Sequence, residues 1–155
     1  MEKGSQDIYE LARRFPNISF QLVGAVSEAA ALWEKPDNVE LVGGVEHSRV
    51  IECLDLADAF IFPSRSEGFS LALAEAMARA LPSVVTDVGA NADMMDGGCG
   101  IVTRAGDVDE MASAIESLGS PEKRREMSFN AVRKVKEHYS ADSIIESFKK
   151  YYQGV

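Results

Sequence analysis

The sequence predicts an α/β fold: a parallel sheet of about five strands with helices on both faces. Three observations carry this. Short apolar runs alternate with longer segments of helical periodicity, the pattern of successive strand–helix units. The connections are short and rich in Gly, Pro and small polar residues, and no internal domain boundary is visible, so residues 1–155 read as a single domain. With 155 residues, 46% of them apolar and 26% charged, the chain can bury a core of its own.

Residues 5–14 read as a helix with Ile8, Leu11 and Ala12 on one face and Ser5 as a candidate N-cap. Pro16-Asn17 breaks it, and residues 18–23 form a strand that ends at Gly24. A short helix over 26–34 stops at Pro36-Asp37-Asn38. Residues 39–42 make a second strand, ending at Gly43-Gly44, and 47–57 a helix with Val50, Ile51, Leu54 and Ala57 in period. Residues 59–62 are a short strand stopped by Pro63. The run 70–80 is made of strong helix formers, apolar nearly all round, and is expected to be buried. Residues 83–86 are the next strand, 87–91 a loop, and 101–103 a fifth strand after the turn at Gly97-Gly98-Cys99-Gly100. Asp107 and Glu110 have capping-box spacing for a helix over 108–118. Ser120-Pro121 opens a helix to about His138, and Ser140 caps a last one over 141–152. Met77, Met94, Met95 and Met111 read as core filling.

Charge and cysteine content exclude several classes of function. Sixteen bases against 25 acids give a net charge of −9, a poor match to general nucleic-acid binding. Residues 1–120 carry eight bases and 20 acids, whereas 121–155 carry eight bases and five acids, which reads as a solvated helical face. Cys53 and Cys99 belong to no Cys-x-x-Cys pair and no His cluster accompanies them, so neither a disulfide scaffold nor a metal site is expected. No apolar run reaches the roughly 18–20 residues of a membrane span, and the N-terminus lacks a signal-peptide core. A cytoplasmic location is expected.

In parallel sheets, ligands bind beyond the carboxyl ends of the strands. Here those ends are Gly24, Gly43-Gly44, residues 63–68 and residues 87–91. The segment from Phe62 to Ala78 carries the most chemistry: a strand end, a small-residue loop, then a helix start near Ser70. Amides of Gly68, Phe69, Ser70 and Leu71 at that start, with the positive end of the helix dipole, suit a phosphate. Glu75 is the only charge between Gly68 and Arg79. It either accepts from ligand hydroxyls or caps a neighbouring loop. Glu67 sits at the same mouth. Two carboxylates flanking a phosphate cradle suit a ligand with both hydroxyls and phosphates, such as a nucleotide sugar. Arg65 is either a phosphate ligand or a loop arginine. His47 and His138 read as surface or capping residues.

These residues resemble the signature of the glycosyltransferase group 1 family, the retaining family 4 enzymes of GT-B fold. Glu67-x7-Glu75 resembles its paired-carboxylate motif, and Val39-x-Leu41-x-Gly43-x-Val45 its strand and glycine loop. Ala57-Asp58-Ala59-Phe60-Ile61-Phe62-Pro63-Ser64 resembles its "A-D-x-F-x-x-P-S". Glu75-Ala76-Met77-Ala78, with Pro82 through Gly89, resembles its "E-A-M-A-x-G-x-P-V-V-A-T-D-x-G-G". Gly100-Ile101-Val102, Gly106-Asp107 and Lys3-Gly4 extend the likeness over nearly the whole chain.

The resemblance implies a Rossmann-like half of a two-domain enzyme, the C-terminal donor-binding domain, with its first central strand and the N-terminal acceptor domain absent from this chain. It implies that Glu67 contacts the donor sugar, that Glu75 holds the ribose hydroxyls, and that Gly68, Phe69, Ser70 and Leu71 hold the diphosphate or sugar. Lys3 would neutralise the leaving diphosphate, and Gly43 and Gly89 would let backbone approach the ligand. It implies transfer with retention, without a metal or other cofactor, from a nucleoside-diphosphate sugar. Membrane contact would come through the other domain, and surfaces left exposed would allow a homodimer. The isolated chain is expected to be inactive. Ala80 and Ala90 stand where the family has glycine. The competing expectation is a non-catalytic interaction module that has kept the scaffold.

Overall fold

The computed structural model describes residues 4–25, 33–143, 145 and 149. Lys3, most of the helix expected over 26–34 and most of the stretch 144–155 lie outside them. The elements in chain order are α1 (Ser5–Arg14), β1 (Phe20–Val23), β2 (Val39–Gly43), α2 (His47–Leu56), β3 (Phe60–Phe62), α3 (Leu71–Ala78), β4 (Ser83–Thr86), α4 (Asn91–Met95), β5 (Gly100–Thr103), α5 (Val108–Ser117) and α6 (Pro121–Lys134). A π-helical turn, Val135–Tyr139, continues α6.

All strand pairings are parallel. β1 pairs with β2, and β4 lies between β3 and β5. The five strands therefore form two sheets, and among the described residues no ladder joins β1 to β3. α1 bridges them: Leu22 of β1 and Ile61 of β3 pack on one core cluster with Tyr9, Leu11 and Ile115.

β4 is buried along its whole length, and its alternation organises the two faces. Val84 points into the cluster of α1 and α5, whereas Val85 points into a second cluster with Leu73, Met77, Met94 and Ala131, from α3, α4 and α6. Helices thus cover both faces, as the sequence predicts. The four methionines expected in the core are all buried.

Local differences from the sequence reading have physical causes. Gly4, not Ser5, caps α1, because its left-handed backbone (φ 72°) brings the helix start against the Pro63 carbonyl, with no room for a Cβ. α4 has no counterpart in the sequence reading, which ends a loop at Asn91 and assigns nothing to 92–96; its five residues are too few to display a helical period. Asp107 caps α5 by accepting from the Glu110 amide at 2.9 Å. The Glu110 carboxylate turns instead to the Arg104 amide, also at 2.9 Å, so the reciprocal half of the box is absent. Ser120 caps α6 as expected. α3 buries only Leu73, Ala76 and Met77 and exposes Leu71, so it is one-sided and not fully buried as its composition suggests. It ends in a Schellman motif: the Leu81 amide donates to the Ala76 carbonyl and the Ala80 amide to that of Met77. That motif puts Ala80 at φ 61°, the one non-glycine at positive φ among the described residues.

Candidate functional site

The loop between β3 and α3 is held from beneath by a chain of buried polar groups. Asn91, Thr86 and Ser64 are each at most 1% exposed. The Asn91 side chain donates through Nδ2 to the Thr86 carbonyl at 3.0 Å, and the Thr86 hydroxyl to the Ser64 carbonyl at 2.6 Å. The Ser64 hydroxyl then donates to Glu67 Oε1 at 2.7 Å. A hydroxyl bonded to a carboxylate is a strong, orienting contact. It places one oxygen of Glu67 from the protein side.

Gly89 closes the same support. Its φ is 55°, and a Cβ there would run into the carbonyl oxygens of Glu67 and Gly68. The Ala90 amide donates to the Gly68 carbonyl at 2.9 Å. Gly89 therefore permits a close approach of two loops to each other. Gly43 differs: at φ 79° it needs glycine for its backbone, but a Cβ would meet nothing within 4 Å. Gly68 likewise borders open space.

α3 starts at the far end of the loop. Ser70 is its N-cap, its hydroxyl accepting from the Leu73 amide at 3.2 Å. The helix start leaves the Leu71 and Ala72 amides without an intrahelical acceptor, which is the anion-binding arrangement. Leu71 is 71% exposed and Phe69 48% exposed. The Phe69 ring stands edge-on to Tyr139 at 5.4 Å between centroids. Burial pushes the Tyr139 phenol pKa up.

Glu75 is not the buried carboxylate that its apolar neighbours suggest; its side chain is 33% exposed. It lies one turn along α3, and its Oε1 is 2.8 Å from Nε2 of His47. The two sequence-predicted carboxylates thus stand on one loop–helix unit, each with a protein partner on one oxygen.

Of the two readings the sequence left open for Arg65, the structure has the exposed loop arginine. Its Nη2 donates to both carboxylate oxygens of the buried Asp7, at 2.8 and 2.9 Å, and Gly106 leaves room for the guanidinium where any Cβ would clash. The pair ties the start of α1 to the loops after β3 and β5. The structure therefore brings together Glu67, Gly68, Phe69, Ser70, Leu71, Glu75 and Gly89, whereas Gly43 ends β2 in the other sheet. Lys3 lies outside the described residues. His47, Asp7, Thr86 and Asn91 are site or support residues that the sequence did not reveal, because each acts through a tertiary contact with no local motif.

The opposite end of the sheet has a recess of about 400 Å³ bordered by Asp55, Arg79, Arg124 and Arg125. Its Arg79 is already bonded to Asp55, at 2.9 Å. The carboxyl ends hold the open amides and oriented carboxylates, and they are the better candidate. Among the described residues no helix is long and apolar enough to cross a membrane.

Residues 5–120 match the family model described as glycosyl transferases group 1. The lipopolysaccharide core biosynthesis mannosyltransferase LpsB of Rhizobium meliloti (strain 1021) is 34% identical over 102 residues, which cover 64% of this chain and 28% of that protein. The chain spans under a third of the length of the first curated relatives it matches. HepE of Anabaena, solved in complex with UDP, superposes with a TM-score of 0.84 at 18% identity, covering 99% of this chain and 46% of that one. The C-terminal domain of a glycosyl transferase group 1 family protein (LpcC) from Francisella tularensis superposes at 0.73 with 18% identity, covering 90% and 80%. Both share the fold of this chain.

Proposed function

The chain belongs to the glycosyl transferases group 1 family, and from that premise we propose that it is the nucleotide-sugar donor domain of a two-domain retaining glycosyltransferase. The observation that carries the proposal is the pair of oriented carboxylates, Glu67 and Glu75, on either side of the capped start of α3. The UDP and UDP-glucose complexes of HepE, a protein of the same fold, support a nucleotide-sugar ligand.

In this proposal the diphosphate lies over the amides of residues 68–71, where the helix dipole favours negative charge. Few cations serve this acidic chain, so backbone amides carry much of that binding. Glu75 accepts from the ribose hydroxyls. Glu67, steadied by Ser64, accepts from hydroxyls of the donor sugar and orients its anomeric carbon. The charge of Lys3 would neutralise the departing diphosphate. The acceptor oxygen, supplied with its binding site by the second domain, attacks from the face on which the diphosphate leaves. The new C–O bond forms as the anomeric C–O(phosphate) bond breaks, and the leaving phosphate takes the acceptor proton. The two carboxylates bind and orient; they are not the acid–base pair of a glycosidase.

The 155-residue chain is expected to bind a nucleoside-diphosphate sugar and transfer nothing. Saturation-transfer NMR against UDP-, GDP- and ADP-sugars tests this. Failure of all three to bind, or binding unaffected by Glu75→Ala, contradicts the proposal. The division into two sheets favours a second reading, a non-catalytic module on the same scaffold; under it no donor binds.

A further inference from the structure

We propose that His47 is a positioning residue for ribose recognition: it holds the Glu75 carboxylate in the orientation that receives a nucleotide's sugar hydroxyls. The inference rests on Glu75 as the ribose ligand. His47 is the first residue of α2, three residues beyond Gly44, which follows the end of β2. Its Nε2–H donates to Glu75 Oε1 at 2.8 Å across 28 residues of sequence. Among the described residues no donor is bonded to the other oxygen, Oε2. One oxygen is thus committed to the protein and the other is left for a ligand.

A purely structural role fits less well. The His47 side chain is 71% exposed and that of Glu75 33%, and exposed pairs add little to stability. The neighbouring cations on these helices are engaged elsewhere, Arg49 with Glu52 and Arg79 with Asp55. An unheld glutamate samples several rotamers, and binding a diol must then order it. A glutamate ordered in advance spares the ligand that cost, which corresponds to about a two- to tenfold gain in affinity.

The test is calorimetric titration of the 155-residue chain with UDP, ADP and GDP and with their 2′,3′-dideoxy analogues. His47→Ala is expected to weaken the ribonucleoside diphosphate about two- to tenfold and to leave the dideoxy analogue unchanged. His47→Gln, which keeps an N–H at similar reach, should retain wild-type affinity. In a Glu75→Ala background, His47→Ala should change nothing further. An equal loss for both ligands, no loss for either, or a loss that persists without Glu75 overturns the positioning role. The two levels separate cleanly. If Glu75→Ala removes the preference for ribose while His47→Ala does not, only the role of His47 fails. If Glu75→Ala leaves that preference intact, or none of the three diphosphates binds, the donor-site assignment fails and this inference with it.

Discussion

Replacing Gly89 by alanine tests whether the loop bearing Glu67 is set by the loop beneath it. Two costs add. At φ 55° an L-residue sits in the left-handed region, at about 1–2 kcal/mol. The new Cβ also meets the Glu67 and Gly68 carbonyl oxygens, and an overpacked contact of that kind costs about 1–3 kcal/mol. Gly97→Ala is the control: it has a similar φ of 76°, and nothing lies within 4 Å of its Cβ. The difference between the two variants is then the clash alone. At about 2–4 °C per kcal/mol for a chain of this size, Gly89→Ala should melt about 2–12 °C below Gly97→Ala. The displaced loop carries Glu67, so Gly89→Ala should also weaken a nucleoside-diphosphate sugar while Gly97→Ala does not. Thermal melts followed by circular dichroism and donor titrations read both effects. Equal melting points, or a Gly89→Ala chain with unaltered donor affinity, would refute the reasoning.

Other outcomes follow from single contacts. Ala80→Gly relieves the left-handed alanine at the end of α3 and should raise stability by about 1 kcal/mol, seen as a higher melting temperature. Ser64→Ala removes the 2.7 Å bond to Glu67; hydrogen bonds to charged groups contribute about 1.5–3 kcal/mol, so a UDP-sugar should lose about tenfold or more in affinity while UDP alone loses little. Cys53 and Cys99 are buried, and desolvation raises the Cys99 thiol pKa, so both should react with a disulfide reagent far more slowly in the native chain than after denaturation. The Arg104 amide and guanidinium hold the Glu110 carboxyl below its ordinary range. Its contribution is present above the unfolded carboxylate pKa and lost as pH falls through the folded value. Glu110→Gln should therefore lower the melting temperature near neutrality and converge with the wild type in acid.

Most of the framework was legible because it is local. The caps at Asp107 and Ser120, the buried run of β4 and the breaks at Pro16 and Pro63 follow from residue types and spacing. Glu75 was legible as a charge interrupting an apolar helix. Its exposure was not, since the composition of α3 does not say which face meets solvent. Arg65 illustrates the same limit: its place beside a candidate phosphate site left ligand and loop arginine both open, and its partner Asp7 lies 58 residues away. Ala80 looked like a departure from a glycine position, yet the backbone keeps the left-handed turn there and the alanine carries the strain. The support of Glu67 through Ser64, Thr86 and Asn91 depends on three separate segments meeting.

The most direct test of the donor site is a crystal structure of the chain with a bound nucleoside diphosphate. The account predicts ribose hydroxyls within hydrogen-bond distance of Glu75 Oε2 and phosphate oxygens on the amides of residues 68–71. A nucleotide seated elsewhere, such as the arginine-bordered recess at the amino ends of β3 and β4, or a ribose that makes no contact with Glu75, would contradict it.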